Sequence, residues 1–381
     1  MVPIDYGLLR FIWWALLGLL LIAFAVMDGF DLGAAMLQPF VARTDSERRV
    51  LVNSIGPVWE GNQVWFILGG GATFAAWPAL YATSFSGFYI AMILVLGALI
   101  LRPVAIAFRS KLDARAWRRT WDWLFFIAGV VPSLVFGVAF GNLFLGAPFK
   151  FDDALRPDYT GGFFELLGPF PVLCGLTSIA MLAMQGGAWL AIKADGIVAE
   201  RARGAAISAA GALVALFTFG GLWIAFGIDG YVIQSPIDPS LPSNPLVKTV
   251  ARETGAWLRN YGIHPWLAAA PAVGYAGAIL AAIFLRAGRD ILAFVASSLG
   301  VAGVIATAGF SLFPFLLPSS TDPRSSLTVW DSSSSPTTLF IMLIGAAVFL
   351  PAIVAYTGWV FHIMRGKVTA KEIEGDVHEH Y

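Results

Sequence analysis

Four ionisable side chains lie in stretches otherwise apolar enough for lipid: Asp28 and Asp31 in AVMDGFDLG, Glu60 in PVWEGNQVWFI and Arg102 in ALILRPVAIAF. A charge inside a bilayer is costly and normally faces protein, water or a partner charge. Carboxyl groups in such places can hold and pass protons, and an arginine beside them neutralises one. Asp28 and Asp31 are three residues apart, which places both on one helix face. Asn62 and Gln63, next to Glu60, also need hydrogen-bond partners in an apolar phase. Two readings stand open. In one, the acids form a proton conduit with Glu60 as its deep relay. In the other, Arg102 neutralises one acid while the rest cap helices or face a water pocket.

The elements that would position these groups follow from composition and hydropathy. Of 381 residues, 58% are hydrophobic and 13% charged, against about 25% charged in a soluble domain. This predicts an all-α polytopic membrane protein forming a single integral-membrane domain. Nine candidate transmembrane helices are expected, at about 8–37, 51–76, 79–108, 119–145, 163–193, 203–228, 264–286, 289–316 and 337–363. The second is weakest, because it carries Glu60, Asn62 and Gln63; Pro78 parts it from the third. The first has one basic residue, Arg10, and no small-residue cleavage site after it, and reads as a retained span.

Basic residues cluster at alternate connections: Arg43, Arg48 and Arg49; Arg109 to Arg119; Lys193, Arg201 and Arg203; Arg286 and Arg289; then Arg365, Lys367 and Lys371. The excess of Lys and Arg on the cytoplasmic side predicts the N-terminus outside and the C-terminus in the cytoplasm. The 229–263 segment is then a long periplasmic loop, with a short amphipathic piece near NPLVKTVARETGAWLRNY. DSSSSP (331–336) is expected to cap the last helix.

Depth brings the ionisable groups together. Glu60 lies roughly 14 Å from the cytoplasmic end of its helix, Asp31 roughly 18 Å before Arg43, and Arg102 roughly 10 Å from Arg109, at about 1.5 Å per residue. All four are expected to meet in the cytoplasmic half of the membrane. Three acids beside one base in low dielectric would not all stay charged, so at least one is expected to hold a proton. A helix break at Gly29 or Gly33 would instead leave the two aspartates at the interface.

Other residues bound the function by type. The 24 basic and 24 acidic residues cancel, which leaves no electrostatic case for nucleic acid. The single Cys174 rules out an internal disulfide and a cysteine-based metal site. His264 and His362 fall at span ends and His378 and His380 in the tail, so no central histidine offers a deep haem or metal ligand. No phosphate-binding loop or catalytic triad appears. Trp13, Trp14, Trp77, Trp189, Trp223 and Trp359 are expected mostly at the membrane interfaces. The chain is not expected to be a catalyst alone.

Several motifs carry a resemblance across almost the whole chain, among them LRFIWWALLG, AVMDGFDLG, DSERRVLVNSIGPVWEGNQVWFI, FSGFYIAMILVLGALILRPVAIAFRSK, WDW, GVAFGNL, GIDGYVI, ETGAWL, FPFLLPSS, SLTVWDSSSS and VTAKEIE. Together they resemble subunit II of the cytochrome bd ubiquinol oxidases, terminal respiratory enzymes of the bacterial inner membrane. The resemblance implies two four-helix bundles plus a peripheral helix. It implies an electrogenic complex that oxidises quinol, ubiquinol by the family name, and reduces dioxygen to water with cytoplasmic protons, without pumping. It further implies a partner, subunit I, holding the b-type and d-type haems, and in some members a structural quinone or a small single-span accessory subunit. Carried over by motif, Glu60 matches an acidic position that relays protons, often Asp in the family, and Trp65 the mouth of a proposed oxygen path. Asp28 and Asp31 match the Asp-Gly-aromatic-Asp motif, and Arg102 the Arg-Pro of the third span. A proton-coupled transporter, or a purely structural assembly subunit, are the alternatives that buried acids alone would also support.

Overall fold

The computed structural model describes residues 2–369, so Lys371, His378, His380 and most of VTAKEIE lie outside the described residues. The first helix, α1 (Tyr6–Val41), opens where the Asp5 carboxylate accepts the Leu8 N–H at 3.0 Å. It runs unbroken through Gly29 and Gly33, and Pro39 falls within its last turn. The break that would have moved Asp28 and Asp31 to an interface is absent. The two glycines serve packing instead: a Cβ on Gly29 would meet Leu182, and one on Gly33 would overlap the Leu182 carbonyl and the Gly186 backbone. Small residues here let α1 and α7 (Pro169–Lys193) approach backbone to backbone.

The next region differs from expectation. The 51–76 segment is two helices. A short α2 (Asp45–Ile55) is held by a Thr44–Glu47 capping box, and α3 (Trp59–Ala76) starts only after the turn at Gly56–Val58. Pro57, lacking an N–H, cannot continue the helical ladder. The 79–108 segment is likewise divided, into α4 (Pro78–Gly87) and α5 (Tyr89–Phe108). α3 and α4 meet at 119° at Trp77. Among the described residues eight helices are long and apolar enough to cross a bilayer, or nine if this bent pair counts as one span.

The remaining long helices are α6 (Arg115–Leu145), α7 and α8 (Gly196–Gly227). After the short α9 (Arg259–Ile263) come α10 (Ala269–Arg286), α11 (Asp290–Leu312) and α12 (Pro336–Ile363). Ser335 caps α12 by accepting the Thr338 N–H at 3.2 Å. Helices α1, α3, α5 and α6 pack as one group and α7, α8, α10 and α11 as another, with α1 and α6 against α7 between them. α12 lies at the edge against α1 and α3, with most of its surface exposed.

Three small antiparallel sheets complete the connections: β1 (Phe149–Phe151) with β2 (Pro157–Tyr159), β3 (Asp229–Ile233) with β4 (Val250–Thr254), and β5 (Phe315–Leu317) with β6 (Leu327–Thr328). The piece of the 229–263 segment that reads as amphipathic is strand β4 flanked by short turns, because it finds a ladder partner in β3. Buried Arg10 ties this segment down, donating to Leu241 O at 3.1 Å, Ser243 Oγ at 2.9 Å and Ser333 Oγ at 2.7 Å. Three of the expected belt tryptophans, Trp13, Trp77 and Trp189, are buried, and Trp189 stacks on Phe30 at 4.2 Å.

Candidate functional site

One buried cluster forms between α1, α3 and α5. Asp28 and Asp31 project from the same side of α1, Asn62 comes from the first turns of α3, and Arg102 reaches in from α5. Arg102 Nη1 sits 2.7 Å from Asp28 Oδ1, and both side chains are fully buried. Asn62 Nδ2 donates to Asp31 Oδ2 at 2.8 Å. The Arg102 guanidinium also lies over the Trp59 ring, 5.5 Å from its centroid, within cation–π range. The spacing of α3 explains who belongs here. Asn62, Trp65, Gly69, Ala72 and Ala76 recur every three or four residues and form its buried face.

The cluster holds more polar capacity than it uses. Asp31 Oδ1, Asn62 Oδ1, Trp65 Nε1 and Arg102 Nε and Nη2 are buried without a hydrogen-bond partner among the described residues. The Asp28–Arg102 contact is itself an ion pair without hydrogen-bond alignment. Arg102 is thus paired with Asp28, while Asp31 is held by Asn62 and keeps one oxygen without a partner. Such a set can accept a proton on Asp31 while Arg102 remains matched by Asp28.

Glu60 is not part of it. It lies two residues before Asn62, which turns it about 200° around the helix, and it is exposed on the outer side of α3. The expectation that all four ionisable groups meet therefore fails for Glu60, while Asp28, Asp31 and Arg102 do converge. Gln63 is half-buried. Trp65 is buried on the inner face of α3.

A second network was missed. Buried Asp122, at the start of α6, accepts from Gln38 Nε2 at 2.8 Å, Arg109 Nε at 2.6 Å and Arg48 Nη1 at 2.6 Å. It thus joins the ends of α1, α2, α5 and α6. The signal was available: an aspartate between two tryptophans, three residues inside the expected 119–145 span.

Both described histidines, His264 and His362, are exposed, and no group of three His, Cys, Asp or Glu could hold a metal ion among the described residues.

Comparison with known proteins gives the family. A family model for "Cytochrome bd terminal oxidase subunit II" matches residues 9–364. The chain is 50% identical over 378 residues to cytochrome bd-I ubiquinol oxidase subunit 2 of Escherichia coli (strain K12), covering 99% of this chain and 100% of that one. It is equally similar, 50% over 380 residues, to the probable cytochrome oxidase subunit 2 of Haemophilus influenzae, covering 99% and 100%. In fold it is similar to a chain of the bd oxidase of Geobacillus thermodenitrificans, with a TM-score of 0.69, 15% identity and coverage of 93% and 98%. With a family model spanning nearly its whole length and curated relatives matched end to end, this chain belongs to the cytochrome bd terminal oxidase subunit II family.

Proposed function

We propose that this chain is the haem-free subunit of a membrane-bound quinol:oxygen oxidoreductase, and that its outer α3 surface lies against the haem-bearing subunit I. One observation carries the reading: Glu60 is exposed on a helix whose outer side otherwise presents Ile67 and Phe74. A carboxylate on a lipid-facing surface is costly, and a protein partner removes that cost. Helix α5, whose Arg102 lies over Trp59 of α3, also exposes the apolar Ile93, Leu96 and Ile100. In this arrangement Glu60 presents its carboxyl group to subunit I and passes cytoplasmic protons toward the site of oxygen reduction.

The remaining roles follow from the geometry. Asp28 and Arg102 act as a fixed ion pair that holds α1 to α5. Asp31, with its free oxygen and its bond from Asn62, is the proton-bearing member of the inner cluster. Trp65 lines the inner side of the same helix, where an oxygen path would pass. The arginine-rich helix ends face the cytoplasm and the 229–263 segment the periplasm, in the bacterial inner membrane. Subunit I holds the b-type and d-type haems and the quinol site, ubiquinol being the donor named for the Escherichia coli relative. A small accessory subunit, a structural quinone and annular lipid complete the assembly.

The interface is tested by placing a photo-crosslinking residue at position 67 or 96 in the assembled complex. The haem-bearing chain should be captured from both positions. A control position on the exposed outer side of α8, such as 219, should capture lipid only. Equal capture from all three positions, or none from 67 and 96, would reject the proposed face.

A further inference from the structure

A cavity of about 680 Å³ opens where α1 and α5 end and α2 and α6 begin. Its walls carry six arginines, Arg43, Arg48, Arg109, Arg115, Arg118 and Arg119, against three aspartates, Asp45, Asp113 and Asp122. The aspartates are already engaged. Asp122 takes Arg48 and Arg109, both at 2.6 Å. Asp45 takes Arg109 at 2.9 Å and Arg118 at 3.0 Å, and Asp113 takes Arg118 at 2.6 Å. Arg43, Arg115 and Arg119 therefore face the cavity with no acidic partner among the described residues. Arg109 is itself buried, and its Nη1 makes no hydrogen bond. The cavity thus combines an excess of positive charge with a buried guanidinium whose Nη1 is unpartnered.

That combination selects an anion with several oxygens. Guanidinium groups match phosphate geometry through parallel N–H donors, and basic pockets at the cytoplasmic ends of transmembrane helices suit phosphate-bearing headgroups. The remaining wall is Gln38, which donates to Asp122, and the apolar Pro39, Trp123 and Phe126. Trp123 and Phe40 are exposed and pack edge-on against the Phe126 ring. Exposed aromatics at the end of a span mark the headgroup level of a bilayer. A ligand whose phosphate meets the arginines while its acyl glycerol leaves along this aromatic wall would use both surfaces.

We propose that this cavity binds a phosphate-bearing anion, and the aromatic wall favours the headgroup of an acidic phospholipid over soluble phosphate. The site is separate from the Asp28–Asp31–Arg102 cluster and does not depend on the role assigned to Glu60.

The test uses the complete oxidase complex, delipidated in detergent and then given phosphatidylglycerol or phosphatidylcholine, with bound lipid counted by native mass spectrometry. The wild-type complex should retain phosphatidylglycerol in preference to phosphatidylcholine. The triple variant Arg43→Gln, Arg115→Gln, Arg119→Gln should lose that preference about tenfold or more. The corresponding triple Lys variant should keep most of it, and an unchanged haem spectrum in both variants verifies assembly. Inorganic phosphate is added separately. If it binds with the same variant dependence while phosphatidylglycerol is not retained, the phosphate chemistry stands and the source is soluble. Equal retention of both lipids with no phosphate binding, or a Gln variant indistinguishable from wild type, would overturn the proposal.

Discussion

Asp28 and Asp31 are three residues apart on one helix yet sit in different surroundings. Asp28 is matched to Arg102 at 2.7 Å in full burial. Removing one partner of such a pair leaves an uncompensated buried charge, so Asp28→Ala should cost about 3–5 kcal/mol. This should appear as a large fall in the thermal unfolding midpoint and in the yield of assembled complex. Asp31→Asn keeps shape and polarity and removes only a titratable group. It should leave assembly near normal and slow oxygen consumption. If both variants behave alike, the division of roles is wrong. The sequence made this cluster visible because acids in apolar runs are rare and helical spacing shows which of them share a face. It could not show that Glu60 points away, because an expected span of 51–76 leaves the helix phase open. Only the real start of α3 at Trp59, and the buried series from Asn62 to Ala76, fixes which side faces inward.

At the level of elements, the connection between α1 and α2 is held by Glu47. Its carboxylate accepts the Arg43 N–H at 2.6 Å and the Thr44 N–H at 3.3 Å, and pairs with Arg201 of α8 at 2.9 Å. Partial burial acts to raise its pKa, but the two backbone bonds and Arg201 outweigh it, so the group titrates below the usual 4.5. A carboxylate depressed in the folded state stabilises it fully above the unfolded value and loses that contribution as pH falls through the folded one. The wild type should therefore lose its thermal advantage over Glu47→Gln as the pH drops below 4.5. A difference between the two that is independent of pH from 7 to 3 would contradict this. The long apolar helices were legible from hydropathy, since length and composition alone define them. The break at Pro78 was legible too, and the chain bends by 119° there, but the divisions at Gly56–Val58 and at Phe88 were not. Both depend on turn residues inside continuous apolar runs, where hydropathy has no contrast to offer. The β3–β4 ladder was hidden for a different reason: its pairing partners are separated by a long polar segment, and a short strand has no signal without its neighbour.

For the whole molecule, full-length identity to oxidase subunits replaces the transporter alternative that buried acids alone would allow. The ionisable residues singled out as proton-path candidates then fall in two separate places. The inner cluster of Asp28, Asp31, Asn62 and Arg102 is enclosed by this chain alone. Glu60 is exposed on the outer side of α3, and in the proposed complex the partner subunit completes its surroundings. The central claim is that Glu60 serves the partner subunit by carrying protons to the oxygen-reducing site. It is tested most directly by the quinol-driven oxygen consumption of a fully assembled Glu60→Gln complex, measured per haem. The rate should fall about tenfold or more, as loss of a positioned proton-transfer group requires, with the visible haem spectrum unchanged. A wild-type rate at full haem content would contradict the account.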